Sequence, residues 1–274
     1  MFQKKLAFFV LLSLFSCSIL KEVVKKPTVS FKNVDIKDIS FSNLTAEFNF
    51  TLSNPNPVSM SINGYDYSFI ISKREFLKGR EDEKIHITAN GKSGLSIPVT
   101  INYVELFKLV TSMSGRDSIP YTFKGNIRPA SPFEGMKIPL STKGWLPVLK
   151  TPSFDFETLK VKNLTLSGVE FVFSVKLNNP NSFGISFTEI DYGFKVEGHS
   201  IANGLINREV SIPKKGSNIL DIPISVNFLE IGSGVRDIFL KEKVAVSFKG
   251  SAKIKTRWKI VELNFEKLGS IKIK

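Results

Sequence analysis

Apolar and polar residues alternate by twos along most of the chain. Phe48, Phe50 and Leu52 are interleaved with Asn49, Thr51 and Ser53, so one side faces a core and the other faces water, as in a half-buried strand. Tyr65, Tyr67, Phe69 and Ile71 continue the pattern, and Val29, Phe31, Val34, Ile36 and Ile39 precede it as a long first strand. Asn63-Gly64 sits between apolar stretches at 59–62 and 65–72 and predicts a hairpin turn there. Further strands are expected at 76–79, 84–89, 95–101, 121–128 and 137–142, and residues 104–110 have the spacing of a short helix.

The whole succession then recurs. Asn54-Pro55-Asn56 returns as Asn179-Pro180-Asn181, a shift of 125 residues. The same shift carries Pro27 onto Pro152, Phe48 onto Phe173, Gly79 onto Gly204, Ile97-Pro98 onto Ile222-Pro223 and Phe123-Lys124-Gly125 onto Phe248-Lys249-Gly250. One spacing held without a gap means two copies of one domain. The second copy predicts strands at 154–166, 170–177, 184–188, 191–197, 208–212, 218–227 and 244–255, with a final pair near 259–263 and 270–274. Its helix is expected at 229–240, interrupted by Gly232 and Gly234. The fold class is therefore all-β: two tandem antiparallel sandwiches, each with one short helix.

The Asn-Pro-Asn stretch ends a strand for a physical reason. Pro55 fixes its own φ and has no N–H to donate, and it pushes Asn54 into extended backbone. Asparagine side chains can bond nearby backbone at such a turn. A recognition loop is one reading of this corner. A corner required by the fold is the plainer one, because the motif returns with its apolar flanks.

These residues resemble the late embryogenesis abundant type 2 proteins, also known by the water-stress and hypersensitive-response domain. Copy one carries Asn54-Pro55-Asn56, Gly64-Tyr65-Asp66-Tyr67, Leu77-Lys78-Gly79 and Ile97-Pro98-Val99. Copy two carries Asn179-Pro180-Asn181, Asp191-Tyr192, Ala202-Asn203-Gly204 and Ile222-Pro223-Ile224, and departs with Glu189 in place of Gly64 and Ala202 in place of Leu77. The resemblance covers roughly residues 28–274. It implies a sandwich like fibronectin type III or the immunoglobulin domain, an association with desiccation and other stress, and no catalytic residues.

The N-terminus differs from the rest. Lys4 and Lys5 precede an apolar run at 6–15 that is short for a membrane span and reads as the core of a secretory signal. Leu14-Phe15-Ser16-Cys17 is similar to a bacterial lipobox, with Phe15 bulkier than the usual residue. Cys17 is the chain's one cysteine, so no internal disulfide forms. The expected organisation is a lipoprotein signal at 1–16, a tether at 17–27 beginning with diacylated Cys17, and domains at 28–147 and 148–274. Acyl chains give firm anchoring, at about 0.8 kcal/mol per buried CH₂. The expected partners are a membrane held through Cys17 and a protein or lipid; the expected place is a bacterial envelope, the outer membrane favoured over the inner, and the expected state is a monomer.

Composition adjusts this picture in two places. The net charge is +13, or +11 without Lys4 and Lys5, which favours anionic partners, but the lysines are scattered and the export signal argues against nucleic acid. Phe numbers 24, which suits a sheet interior; a groove for an acyl chain is the alternative use, and would make the chain a lipid-binding or lipid-transfer module. Chemistry finds little support. His86 and His199 do not coincide under the repeat and have no neighbours at ligand spacing. Glu81-Asp82-Glu83 reads as a solvated turn before it reads as a calcium site. The sequence shows no nucleophile elbow, phosphate loop or dinucleotide fingerprint, so neither a cofactor nor a catalytic set is expected.

Overall fold

The computed structural model describes residues 25–131, 133–231 and 233–274. The chain forms two compact units. One comprises the described residues up to Lys37 with Thr45–Ser114 and Ser118–Leu146; the other comprises Asp38–Leu44, Gly115–Asp117 and Pro147–Lys274.

The first copy is built from β1 (Thr28–Ile39), β2 (Asn43–Ser53), β3 (Met60–Ile71), β4 (Arg74–Glu81), β5 (Ile85–Ile87), β6 (Lys92–Asn102), helix α1 (Tyr103–Leu109), β7 (Ser118–Pro129) and β8 (Ile138–Pro147). One sheet has the order β1-β2-β6 and the other β4-β3-β7-β8, with β5 also on β3. The second copy repeats this with β9 (Ser153–Leu164), β10 (Gly168–Asn178), β11 (Ile185–Val196), β12 (His199–Ile206), β13 (Val210–Ile212), β14 (Ser217–Asn227), α2 (Phe228–Ile231), β15 (Lys243–Lys255) and β16 (Ile260–Lys272). Its sheets run β14-β10-β9 and β12-β11-β15-β16, with β13 on β11. The pairings along β3, β10, β11 and β15 are antiparallel. The all-β sandwich expectation is met.

Strict alternation builds the cores. In β2 every second residue from Leu44 to Leu52 is buried, and β10 does the same from Val169 to Leu177. Phe48 stacks on Phe123 at 4.7 Å and lies 5.8 Å from Phe69. Their repeats form the second core: Phe173 stacks on Phe194 at 4.2 Å and meets Phe248 edge-on at 5.5 Å. Rings at such separations touch, so these phenylalanines pack on one another in each core.

Several expected boundaries are corrected. Asn63-Gly64 is not a hairpin turn. It lies inside β3, where the pairing with β7 shifts between Ile62 and Tyr65, which makes it a bulge. The stretches at 184–188 and 191–197 are likewise the single strand β11, bulged between Phe187 and Glu189. The true hairpin turns follow these strands: Ser72-Lys73, with φ 49° and 66°, and Glu197-Gly198, with φ 48° and 82°. Both central residues at positive φ suit the twist of a two-residue hairpin. The final pair of short strands is one strand, β16.

The helix expected at 229–240 is also different. Among the described residues Phe228–Ile231 is α-helical, and Ser233–Leu240 forms 3-10 turns. Two glycines so close together remove the propensity that would carry an α-helix forward, and short segments then close i→i+3 bonds. Both copies start this element the same way. The Asn102 side chain accepts from the N–H groups of Val104 and Glu105, at 2.9 and 3.1 Å, and Asn227 accepts from Leu229 at 3.0 Å.

Candidate functional site

The Asn-Pro-Asn corners are where polar groups enter the interior. The buried polar side chains among the described residues are Asn54, Asn56, Asn179, Asn181 and Thr256. β2 ends at Ser53, and Pro55 cannot extend the ladder. The Asn54 amide then donates to the carbonyls of Val58 and Thr88 at 2.8 and 3.1 Å, while its oxygen accepts from the Asn56 backbone and side-chain nitrogens at 3.1 and 3.0 Å. Asn56 completes the chain of amides. Its oxygen accepts from the Lys25 N–H at 2.7 Å and its nitrogen donates to the Lys25 carbonyl at 2.8 Å.

Copy two reproduces the corner atom for atom. Asn179 donates to Phe183 and Pro213 at 2.8 and 3.0 Å and accepts from Asn181 at 2.9 and 3.0 Å. Asn181 clamps both backbone groups of Lys150 at 2.8 and 2.9 Å. The side-chain oxygen and nitrogen of each of these asparagines are engaged within the protein. An interior corner of this kind ties remote segments together, and the asparagine side chains serve the fold there. Pro55 and Pro180 supply geometry and no hydrogen. Lys25, assigned by sequence to the tether, is the partner that sequence reasoning missed. The available signal was that Lys25 and Lys150 also obey the 125-residue shift.

The other candidates separate in space. His86 and His199 are exposed, and His86 lies 3.3 Å from the Ser61 hydroxyl. Asp82 of the acidic run is engaged by Arg128 at 2.5 Å and by Arg80 at 3.6 Å. The Arg128 guanidinium holds the Asp82 carboxyl below its ordinary value. In copy two Lys253, the counterpart of Arg128, pairs instead with Glu189 at 3.0 Å, so one cation position is served by two different acids. Burial, reinforced by Glu83 and Glu81, pushes the Tyr65 phenol up to about 12. Among the described residues no group of three His, Cys, Asp or Glu side chains is placed to hold a metal ion, and no helix is long and apolar enough to cross a membrane. Cys17 and the signal expected at 1–16 lie outside the described residues.

Both copies resemble known proteins. The sequence profile described as late embryogenesis abundant protein matches residues 49–144 and again 174–269. The chain belongs to the late embryogenesis abundant type 2 family. The two family matches start and end 125 residues apart, so each corner stands at the same place in its match, the first beginning at Asn49 and the second at Ser174. A late embryogenesis abundant protein of Gossypium hirsutum, Lea14-A, is 31% identical over 90 residues, covering 33% of this chain and 60% of its own length. A protein of Arabidopsis thaliana described as desiccation-related is 28% identical over 132 residues, covering 48% of this chain and 85% of its own length. A solved Arabidopsis structure of the late embryogenesis abundant class is 21% identical, with TM-score 0.39 over 53% of this chain and 86% of that one. The chain thus spans about three fifths of the cotton relative and carries the family domain twice.

Proposed function

We propose that this protein is a non-catalytic, envelope-anchored member of its family that protects other macromolecules when water is withdrawn. The observation that carries the reading is the doubled family match over two folded units whose motif asparagines are spent on internal bonds. Relatives are described as desiccation-related. A protector of this kind needs a surface that persists as water leaves, and a core of touching aromatic rings closed by amide networks supplies the rigidity. The diacyl group on Cys17 holds the protein at a bacterial membrane, with the outer membrane favoured.

Two measurements test the reading. Lactate dehydrogenase dried and rehydrated with the full chain retains more activity than with an equal mass of albumin; equal retention overturns the protective role. Intact-mass measurement of the membrane fraction finds a lipid-sized increment that Cys17→Ala lacks. An unmodified Cys17 in the natural protein overturns the anchor and leaves the first experiment standing.

A further inference from the structure

The hairpin turns of the two copies differ in a way that the shared fold does not require. In copy two, Glu197 opens the β11–β12 turn and folds back on β15. Its carboxylate accepts from the Ala245 N–H at 2.8 Å and lies 3.6 Å from the Lys241 ammonium. The repeat places Ser72 where Glu197 stands and Pro120 where Ala245 stands. Copy one therefore has neither the carboxylate nor the N–H that receives it. What it has is a recess of about 470 Å³ whose lining includes Ser72, Lys73, Pro120, Thr122, Lys124 and Lys143, and no acidic residue. None of these three lysines forms a salt bridge among the described residues. The carboxylate of Glu75, on the neighbouring strand, accepts from Ser68 at 2.8 Å and is not part of the lining.

The counterparts of the lysines show that this charge is local to copy one. Lys73 corresponds to Gly198 and Lys143 to Leu268, and only Lys124 has a basic counterpart, Lys249. Where copy two supplies its own anion, copy one gathers unpaired cations around an open space. Three like charges facing one recess repel each other, and an anion there relieves the repulsion. Ser72 and Thr122 bring hydroxyls, which suit the several acceptor oxygens of a phosphoryl group. Trp145 lies two residues beyond Lys143 on the same strand and is 62% exposed, so both side chains stand on the outward face.

From this we propose that the recess at the β3–β4 turn of copy one binds a phosphate-bearing anion between Lys73, Lys124 and Lys143, and that Glu197 is the built-in occupant of the equivalent place in copy two. The chemistry is that of a phosphate monoester or diester, whether free in solution or on a phospholipid headgroup.

The test uses the full chain in neutral detergent, carrying Trp258→Phe so that Trp145 reports alone. Inorganic phosphate and dihexanoylphosphatidylglycerol are titrated separately at constant ionic strength. Each gives a saturable change in Trp145 emission. Phosphatidylglycerol binding at least about tenfold tighter assigns the headgroup source, and comparable affinities assign the free anion. Ser72→Glu, which installs the carboxylate of copy two, weakens both ligands about tenfold, as does Lys73→Gly with Lys143→Leu. Lys214→Ala with Lys243→Ala and Lys255→Ala, an equal or larger charge loss on copy two, leaves affinity within about twofold. Circular dichroism melting confirms that each variant is folded. No saturable response to either probe, or equal weakening by the copy-two variant, overturns the proposal.

Discussion

Asn54 and Asn179 are the residues on which each corner turns. Alanine at position 54 removes an amide that serves Val58, Thr88 and two nitrogens of Asn56, all in a place where water does not replace it easily. Leaving such groups unpaired costs about 1–3 kcal/mol apiece before relaxation. Asn54→Ala is therefore expected to destabilise the first unit by about 2–4 kcal/mol, and Asn179→Ala the second by a similar amount, measured by urea unfolding. Asp82 gives a pH-dependent counterpart. Arg128 holds its folded pKa below the ordinary 3.8, so the folded state binds fewer protons than the unfolded state between the two values. The resulting stabilisation is complete above the unfolded value and is lost as pH falls through the folded one. Asp82→Asn removes that part of the acid dependence of unfolding; an unchanged profile below pH 4 would count against the pairing. Spacing alone picks out the four asparagines and places them where a strand must stop. Spacing cannot reveal that Asn56 reaches Lys25 and Asn181 reaches Lys150, because those contacts span 31 residues and depend on how strands stack.

At the scale of elements, the period-two alternation located nearly every strand, and it failed where a strand bends without ending. Asn63-Gly64 has the composition of a tight turn, yet Gly64 has φ 129° within a continuous strand. A Cβ there would sit 2.0 Å from the Glu81 carbonyl and 2.6 Å from the Arg128 guanidinium. The glycine is needed because neighbouring β4 and the Arg128 side chain pass over it, and Arg128 crosses that space to reach Asp82 at 2.5 Å. Gly64→Ala combines a disfavoured φ with a backbone clash, so a loss of about 3 kcal/mol is expected, with weakened amide protection along β4 in hydrogen exchange. The actual turn, Ser72-Lys73, was invisible to a composition rule because neither residue is the Asn or Gly that positive φ favours. Replacing the pair by Asn-Gly is expected to stabilise the first unit by about 0.5–1 kcal/mol per relieved position at most. The same change removes Lys73 from the recess, so it weakens phosphate binding while raising stability, a divergence that a merely structural lysine would not give.

The molecule as a whole is one domain design used twice with different fillings. Phe48, Phe69 and Phe123 recur as Phe173, Phe194 and Phe248, but the parallel stack moves: Phe48 lies on Phe123 with rings 19° apart, whereas Phe173 lies on Phe194 at 27°. The reason is near at hand in sequence. Tyr121 of copy one packs against Phe48 and Phe69 at 5.2 and 5.5 Å, and its counterpart in copy two is the smaller Val246, which leaves Phe173 room to close on Phe194. Each unit thus has a core fitted to itself, and aromatic packing of this kind is lost as a block. Phe123→Ala opens a cavity beside Phe48, Tyr67 and Phe69 and is expected to cost about 3–5 kcal/mol. The cost falls on amides of β2, β3 and β7, while those of β10, β11 and β15 keep their exchange rates; Phe248→Ala reverses the two sets. Equal loss of protection in both sets from either substitution would mean that the duplicated cores fold as a single cooperative block.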